Sequence, residues 1–174
     1  FFTWFPRYLQ ETKGVSVAGS GSLAAWPLLA GMLGGLLGGT VSDALLRRTG
    51  NSRLSRQGLA ATCTAACALV SLGAYFAESA ETAVALISVA GFCGYASGVS
   101  AYATAMAMGG RRVAPVFATM NMSGNIGAGV FPFAAGVLGR TGQWDLLILL
   151  FAGMFATATV CWAFLNPKGT LFEE

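Results

Sequence analysis

Between Leu23 and Leu46 the chain carries a single charged side chain, Asp43, and four later stretches are as apolar. A bilayer core about 30 Å thick is crossed by about 20 apolar helical residues. Lipid leaves backbone groups no outside partner, so a run of this kind spans as an α-helix. The full-length spans are expected at about 23–46, 57–77, 82–108, 113–138 and 144–165. A partial one at about 1–9 opens mid-hydrophobic on "FFTWFPRYL". Charged residues make up 10% of the 174, against about 25% in soluble domains. The fold class expected is an all-α membrane protein.

The apolar start has no initiator Met, no polar leading segment and no cleavage-site pattern, so it does not read as a signal peptide. It reads as the end of a helix whose beginning is missing. Orientation follows from the basic residues between spans. Arg47, Arg48, Arg53, Arg56, Arg111, Arg112 and Lys168 fall on one side, and Arg7, Lys13 and Arg140 on the other. The richer side is expected to be cytoplasmic, together with the tail "NPKGTLFEE", where Pro167 ends the last helix. The expected location is a plasma membrane or bacterial inner membrane, crossed several times.

The chain has no His, and Cys63, Cys67, Cys93 and Cys161 lie in apolar stretches without acids beside them. They read as small packing residues. No metal, cofactor or nucleic-acid partner is expected. Gly31, Gly35 and Gly39 form one small-residue stripe and Gly34 and Gly38 a second, which lets helices approach backbone to backbone. Pro27 and Pro132 are candidate kinks.

Asp43 and Arg47 stand four residues apart on one helix face. Local chemistry allows an ion pair at the membrane edge, with Arg47 and Arg48 capping the helix dipole. A glycine-rich run before an Asp also prompts an intramembrane aspartyl protease, but that chemistry needs two facing carboxylates. No span offers Asp43 a second one.

Gly39, three residues, Asp43, then Arg47 and Arg48 resembles the cytoplasmic loop signature of the major facilitator superfamily. The fuller form has a basic residue after the Asp and a Gly before the arginines. Ala44 and Leu46 stand there, so the match is to the looser version between helices 8 and 9. "TWFPRYL" at 3–9, "GGRRVAPVFATMNMSGNIGAGVFPFAAGVL" at 109–138 and "WDLLILLFAGMFATATVCWAFLNPKGTLFEE" at 144–174 resemble helices 7, 11 and 12 of its anion:cation symporter branch, with hexuronate, galactonate and sialic acid carriers. Met106 and Met108 stand where that branch often has an acid or hydroxyl late in helix 10. The resemblance implies the C-terminal six-helix half of a transporter, packed against its own N-terminal half. It implies no enzyme, and it makes Gly39, Asp43, Arg47 and Arg48 gating residues.

Asn121, Asn125 and Gly129 share one stripe near the middle of the fourth full span. Amides there are costly against lipid, so they are expected to face a wet central cavity. Tyr95, Ser97 and Ser100 near the centre of the preceding span are candidate partners, with Tyr102 and Thr104 further along. No ionisable residue lies mid-span, which assigns any proton relay or substrate-binding Arg to the N-terminal half. The expected activity is secondary transport of an organic anion, a sugar acid or carboxylate, coupled to H⁺ or Na⁺, by alternating access. Two alternatives stay open: an exporter of neutral or hydrophobic compounds, and a structural membrane protein that transports nothing.

Overall fold

Described over residues 3–166, the computed structural model consists of helices and turns. The tail, with Pro167 and Lys168, lies outside the described residues, as do the first two. The α-helices are α1 (Phe5–Lys13), α2 (Val17–Thr49), α3 (Leu59–Tyr75), α4 (Ala80–Gly109), α5 (Val113–Arg140) and α6 (Trp144–Phe164). A π-helical turn, Arg53–Gly58, runs into α3, and a 3-10 turn, Gly110–Arg112, joins α4 to α5. Four helical stretches are long and apolar enough to cross a membrane: Val17–Thr49, Arg53–Tyr75, Ala80–Arg140 and Trp144–Phe164.

The third stretch doubles back on itself. A continuous helix would hold Tyr102 and Phe117 roughly 22 Å apart, yet their ring centroids are 5.4 Å apart. The reversal falls at Gly110, whose φ of 49° suits a residue without a β-carbon.

Local chemistry sets the ends. α2 starts six residues before the apolar run expected at 23, because the Ser16 hydroxyl accepts the Gly19 N–H at 3.2 Å and caps the helix there. Ser79 caps α4 in the same way, accepting from the Thr82 N–H at 3.1 Å. Gly50, in the left-handed region, closes α2 just after Arg47 and Arg48. α1 differs from the expected 1–9 segment: it ends at Lys13, and its second half, Gln10–Lys13 of the chain, is polar.

Side chains are distributed inside out relative to a soluble protein. Fully buried positions include Ser20, Ala60, Ser71, Ala83 and Ser100, whereas Leu36, Leu69, Met32, Phe133 and Phe164 are exposed. Small residues at the seams let helices pack closely where lipid offers no hydrophobic drive between them. The α2–α4 seam shows which glycines do this. β-Carbons at Gly31, Gly34 and Gly38 would collide with Tyr95, Phe92 and Ala96, while one at Gly35 would meet nothing within 4 Å. The working seam is therefore 31/34/38, drawn from both stripes read in the sequence.

Each end of the bundle is fastened differently. At one end α1 plugs the helix turns with bulk: Phe5, Tyr8 and Leu9 are buried against Ala74, Ile87, Ala135, Trp144 and Leu147. The Glu11 carboxylate accepts from Arg7 Nε at 2.6 Å and from Trp144 Nε1 at 2.9 Å. These donors hold its carboxyl below the ordinary value of 4.5, Arg7 contributing most. At the other end the π-helical turn collects bonds from three helices. Ser42 of α2 donates to the Ser55 carbonyl at 3.0 Å, Arg56 donates to the Ala103 carbonyl of α4, and Gln57 Nε2 donates to the Trp162 and Ala163 carbonyls of α6.

Candidate functional site

Three clefts open along α4 and meet at one side chain. The first, about 390 Å³, lies between α4 and α5 and is lined by Gly98, Ala101, Tyr102, Met120, Asn121, Gly124 and Asn125. A helix turn apart on α5, Asn121 and Asn125 reach the same cleft, as their spacing predicts. Their side chains differ in freedom. Asn121 Nδ2 donates to the Phe117 carbonyl one turn back at 3.0 Å. Asn125 is exposed, and no protein group among the described residues holds its amide.

The second cleft, also about 390 Å³, runs between α2, α4 and α6. Gly91, Gly94 and Gly98 line it together with Tyr95, Val99, Phe151 and Phe155. The Phe155 ring lies 3.3 Å from where a Gly94 β-carbon would stand, and meets Phe151 edge-on with centroids 5.0 Å apart. The third and largest, about 520 Å³, sits at the charged end, lined by Gly39, Ser42, Asp43, Arg56, Val99, Tyr102, Ala103, Met106 and Ala107.

Tyr102 lines all three clefts, and Gly98 the first two. Tyr95, Gly98 and Tyr102 are spaced i, i+3, i+7, which puts them on one face of α4. That spacing was present in the sequence, where Tyr102 stood only as a residue further along the span. Arg56, a loop charge in the sequence, shares a cleft with Asp43.

The remaining sequence candidates fall elsewhere. Ser97 is buried and gives its hydroxyl to the Gly94 carbonyl at 2.8 Å, the local bond helical serines commonly make. Ser100 is fully buried, with no hydrogen-bond partner for its hydroxyl. Neither lines the clefts described above. Asp43 and Arg47 share the end of α2, but no ion pair joins them, unlike Arg7 and Glu11 of α1. Arg47 and Arg48 are exposed in the last turn, where they complement the helix dipole. The cysteines are free thiols, and no group of three metal-binding side chains occurs among the described residues.

The helical architecture, its apolar exterior and the loop signature at Gly39–Asp43 agree with the family comparison. The chain belongs to the Major Facilitator Superfamily, whose family model matches residues 1–171. It is 29% identical over 172 residues to a probable sulfoacetate transporter of Cupriavidus necator, an alignment covering 98% of this chain and 40% of that protein. It is 30% identical over 164 residues to a probable galactarate/D-glucarate transporter of Escherichia coli, covering 92% of this chain and 35% of the relative. A hexuronate transporter of Bacillus subtilis is 27% identical over 164 residues, covering 92% of the chain and 39% of the relative. The chain thus spans about two fifths of the first of these relatives. This is a family of transporters, and the relatives named here are transporters of organic anions, not enzymes.

Proposed function

We propose that this chain is the C-terminal, six-helix half of a secondary transporter that moves an organic anion by alternating access, coupled to H⁺ or Na⁺. In this reading α1 to α6 are helices 7 to 12, with the C-terminus in the cytoplasm and the clefts along α4 and α5 closed by the N-terminal half. The observation that carries it is the amide pair: Asn121 and Asn125 share one cleft beside α4, and Asn125 lies near the middle of α5 with its amide unclaimed among the described residues. Carboxamide N–H groups are suited to carboxylate or sulfonate oxygens, the groups that the relatives' names imply. Tyr102 adds a phenol to that cleft and Tyr95 one to the neighbouring cleft, while Ser97 and Ser100 are buried in the same helix.

Asp43 is read as a gate residue, with Gly39, Arg47 and Arg48 around it, and Arg56 is the cation nearest to it in the cleft they share. The test is uptake by the intact transporter in proteoliposomes, using labelled galactarate, glucarate and sulfoacetate under imposed H⁺ or Na⁺ gradients. Gradient-driven accumulation of one of them, weakened by Asn125→Ala, is expected. Accumulation of none, or full uptake by the variant, overturns the reading. A C-terminal reporter that is active only in the cytoplasm tests the orientation.

A second reading, export of neutral or hydrophobic compounds, is favoured by one observation: the aromatic walls of the cleft at Phe151 and Phe155. Efflux of a lipophilic cation with no anion uptake distinguishes it.

A further inference from the structure

We infer that the notch at the start of α3 holds the head of an anionic phospholipid, with its acyl chains lying along that helix. The site is independent of the substrate and the coupling ion proposed above. About 360 Å³ in volume, the notch is lined by Asn51, Arg53, Leu54, Gln57, Gly58 and Ala61, none of which lines the three clefts along α4.

Its polar part offers hydrogen-bond donors only. Gln57 is buried and spends both ends of its amide: Nε2 donates to the Trp162 and Ala163 carbonyls, and Oε1 accepts from Arg53 Nε at 3.0 Å. That bond steadies the guanidinium and leaves its terminal Nη groups, on an exposed side chain, without a partner among the described residues. Asn51 Oδ1 is likewise taken, by the backbone N–H groups of Arg53 at 3.0 Å and Leu54 at 3.4 Å, which leaves its Nδ2 to donate. A steadied guanidinium fork beside a carboxamide N–H suits a phosphate. No acid lines the notch, so an ammonium or choline group finds no partner there. The head that fits carries a net negative charge.

Depth favours a lipid over a dissolved anion. The membrane-capable stretch Arg53–Tyr75 has 23 residues, about 34 Å of helix at about 1.5 Å a residue, against about 30 Å of hydrocarbon. Arg53 therefore stands at the headgroup boundary, and Leu54, Gly58 and Ala61 lead inward from it. Leu54 is exposed, and Gly58 puts no side chain into the notch. Leu69 and Leu72, about three and four turns beyond Gly58, share its face of α3 and are exposed, so an apolar track continues from the notch into the hydrocarbon. A water-soluble anion would use the donors and leave that track empty.

The test takes the intact transporter, stripped of lipid in detergent, and measures by native mass spectrometry its binding of dioleoyl phosphatidylglycerol, phosphatidylethanolamine and phosphatidylcholine. Phosphatidylglycerol is expected to bind at least fivefold more tightly than either zwitterionic lipid, and Arg53→Gln should abolish the preference. Gly58→Leu fills the notch, its β-carbon meeting other atoms at 3.6 Å and beyond, and should weaken phosphatidylglycerol at least threefold. Should Gly58→Leu fail to fold, Arg53→Gln decides alone. Arg48→Gln removes the same charge from the same end of the bundle and should leave the affinity within about twofold. An equal loss in Arg48→Gln would reveal diffuse attraction to the basic end and overturn the site. Equal binding of the three lipids overturns it too. If excess inorganic phosphate displaces phosphatidylglycerol, the notch takes a soluble anion and the lipid inference fails, while the transport reading stands.

Discussion

A β-carbon on Gly34 of α2 would fall inside contact distance of the Phe92 carbonyl oxygen of α4. The two helices meet there backbone to backbone, so the seam has no room for a methyl group. Gly34→Ala in the intact transporter is therefore expected to destabilise by about 1–3 kcal/mol, the usual cost of overpacking. Gly35→Ala, whose new β-carbon meets nothing within 4 Å, should leave the melting temperature within a degree or two, roughly the scale of a few tenths of a kcal/mol. Thermal denaturation in detergent separates the two. Equal melting temperatures would remove the seam from the account.

This contrast also shows what the sequence could tell. Spacing revealed that glycines 31, 34, 35, 38 and 39 form stripes, because the helical period is built into residue numbers. It could not reveal which stripe meets α4, because the partner's azimuth is set by tertiary packing. The membrane-capable helices were legible from the apolar runs alone. The start of α2 was not, because Val17 to Ser22 are mostly small or polar and a serine cap, not hydropathy, begins the helix.

Asn125 and Asn121 should differ when truncated. The amide of Asn125 has no partner among the described residues, whereas Asn121 already spends one N–H on the Phe117 carbonyl. A hydrogen bond to a charged group is worth about 1.5–3 kcal/mol. Asn125→Ala should thus raise the half-saturating substrate concentration by roughly tenfold or more, and Asn121→Ala by less. Concentration-dependent uptake measures both, and an equal or reversed order contradicts the assignment. Sequence spacing put this amide pair on one stripe. It gave no means of separating such residues from Ser97 and Ser100, since a helical serine looks the same whether it meets water or its own backbone.

At the charged end, Asp43→Asn is expected to lower the maximal transport rate several-fold while leaving half-saturation little changed, since the residue lies in the third cleft, apart from the amides. Arg56→Ala should do likewise and also loosen the end of α4 through loss of the Ala103 bond. Initial-rate kinetics decide: a rise in half-saturation at unchanged maximal rate would make Asp43 a binding group.

Acid should weaken the α1 end of the bundle. Glu11 has its carboxyl held below 4.5 by Arg7 first and Trp144 second. A depressed folded-state pKa stabilises above the unfolded value, and that contribution disappears as pH falls through the folded value. Melting measured from pH 6 down to pH 3 should therefore drop more steeply in the parent protein than in Glu11→Gln. Parallel curves would show that this carboxylate contributes nothing to the acid response.

The π-helical turn has a consequence for how sequence can drift. Its ties to α4 and α6 end on the main-chain oxygens of Ala103, Trp162 and Ala163, and the tie from α2 ends on that of Ser55. Every amino acid supplies such an oxygen, so the acceptor side of this clasp carries no sequence information. Substitutions at positions 55, 103, 162 and 163 leave those oxygens in place, provided the helices keep their path. Only Ser42, Arg56 and Gln57 encode it, three letters that hold the ends of three helices to one turn.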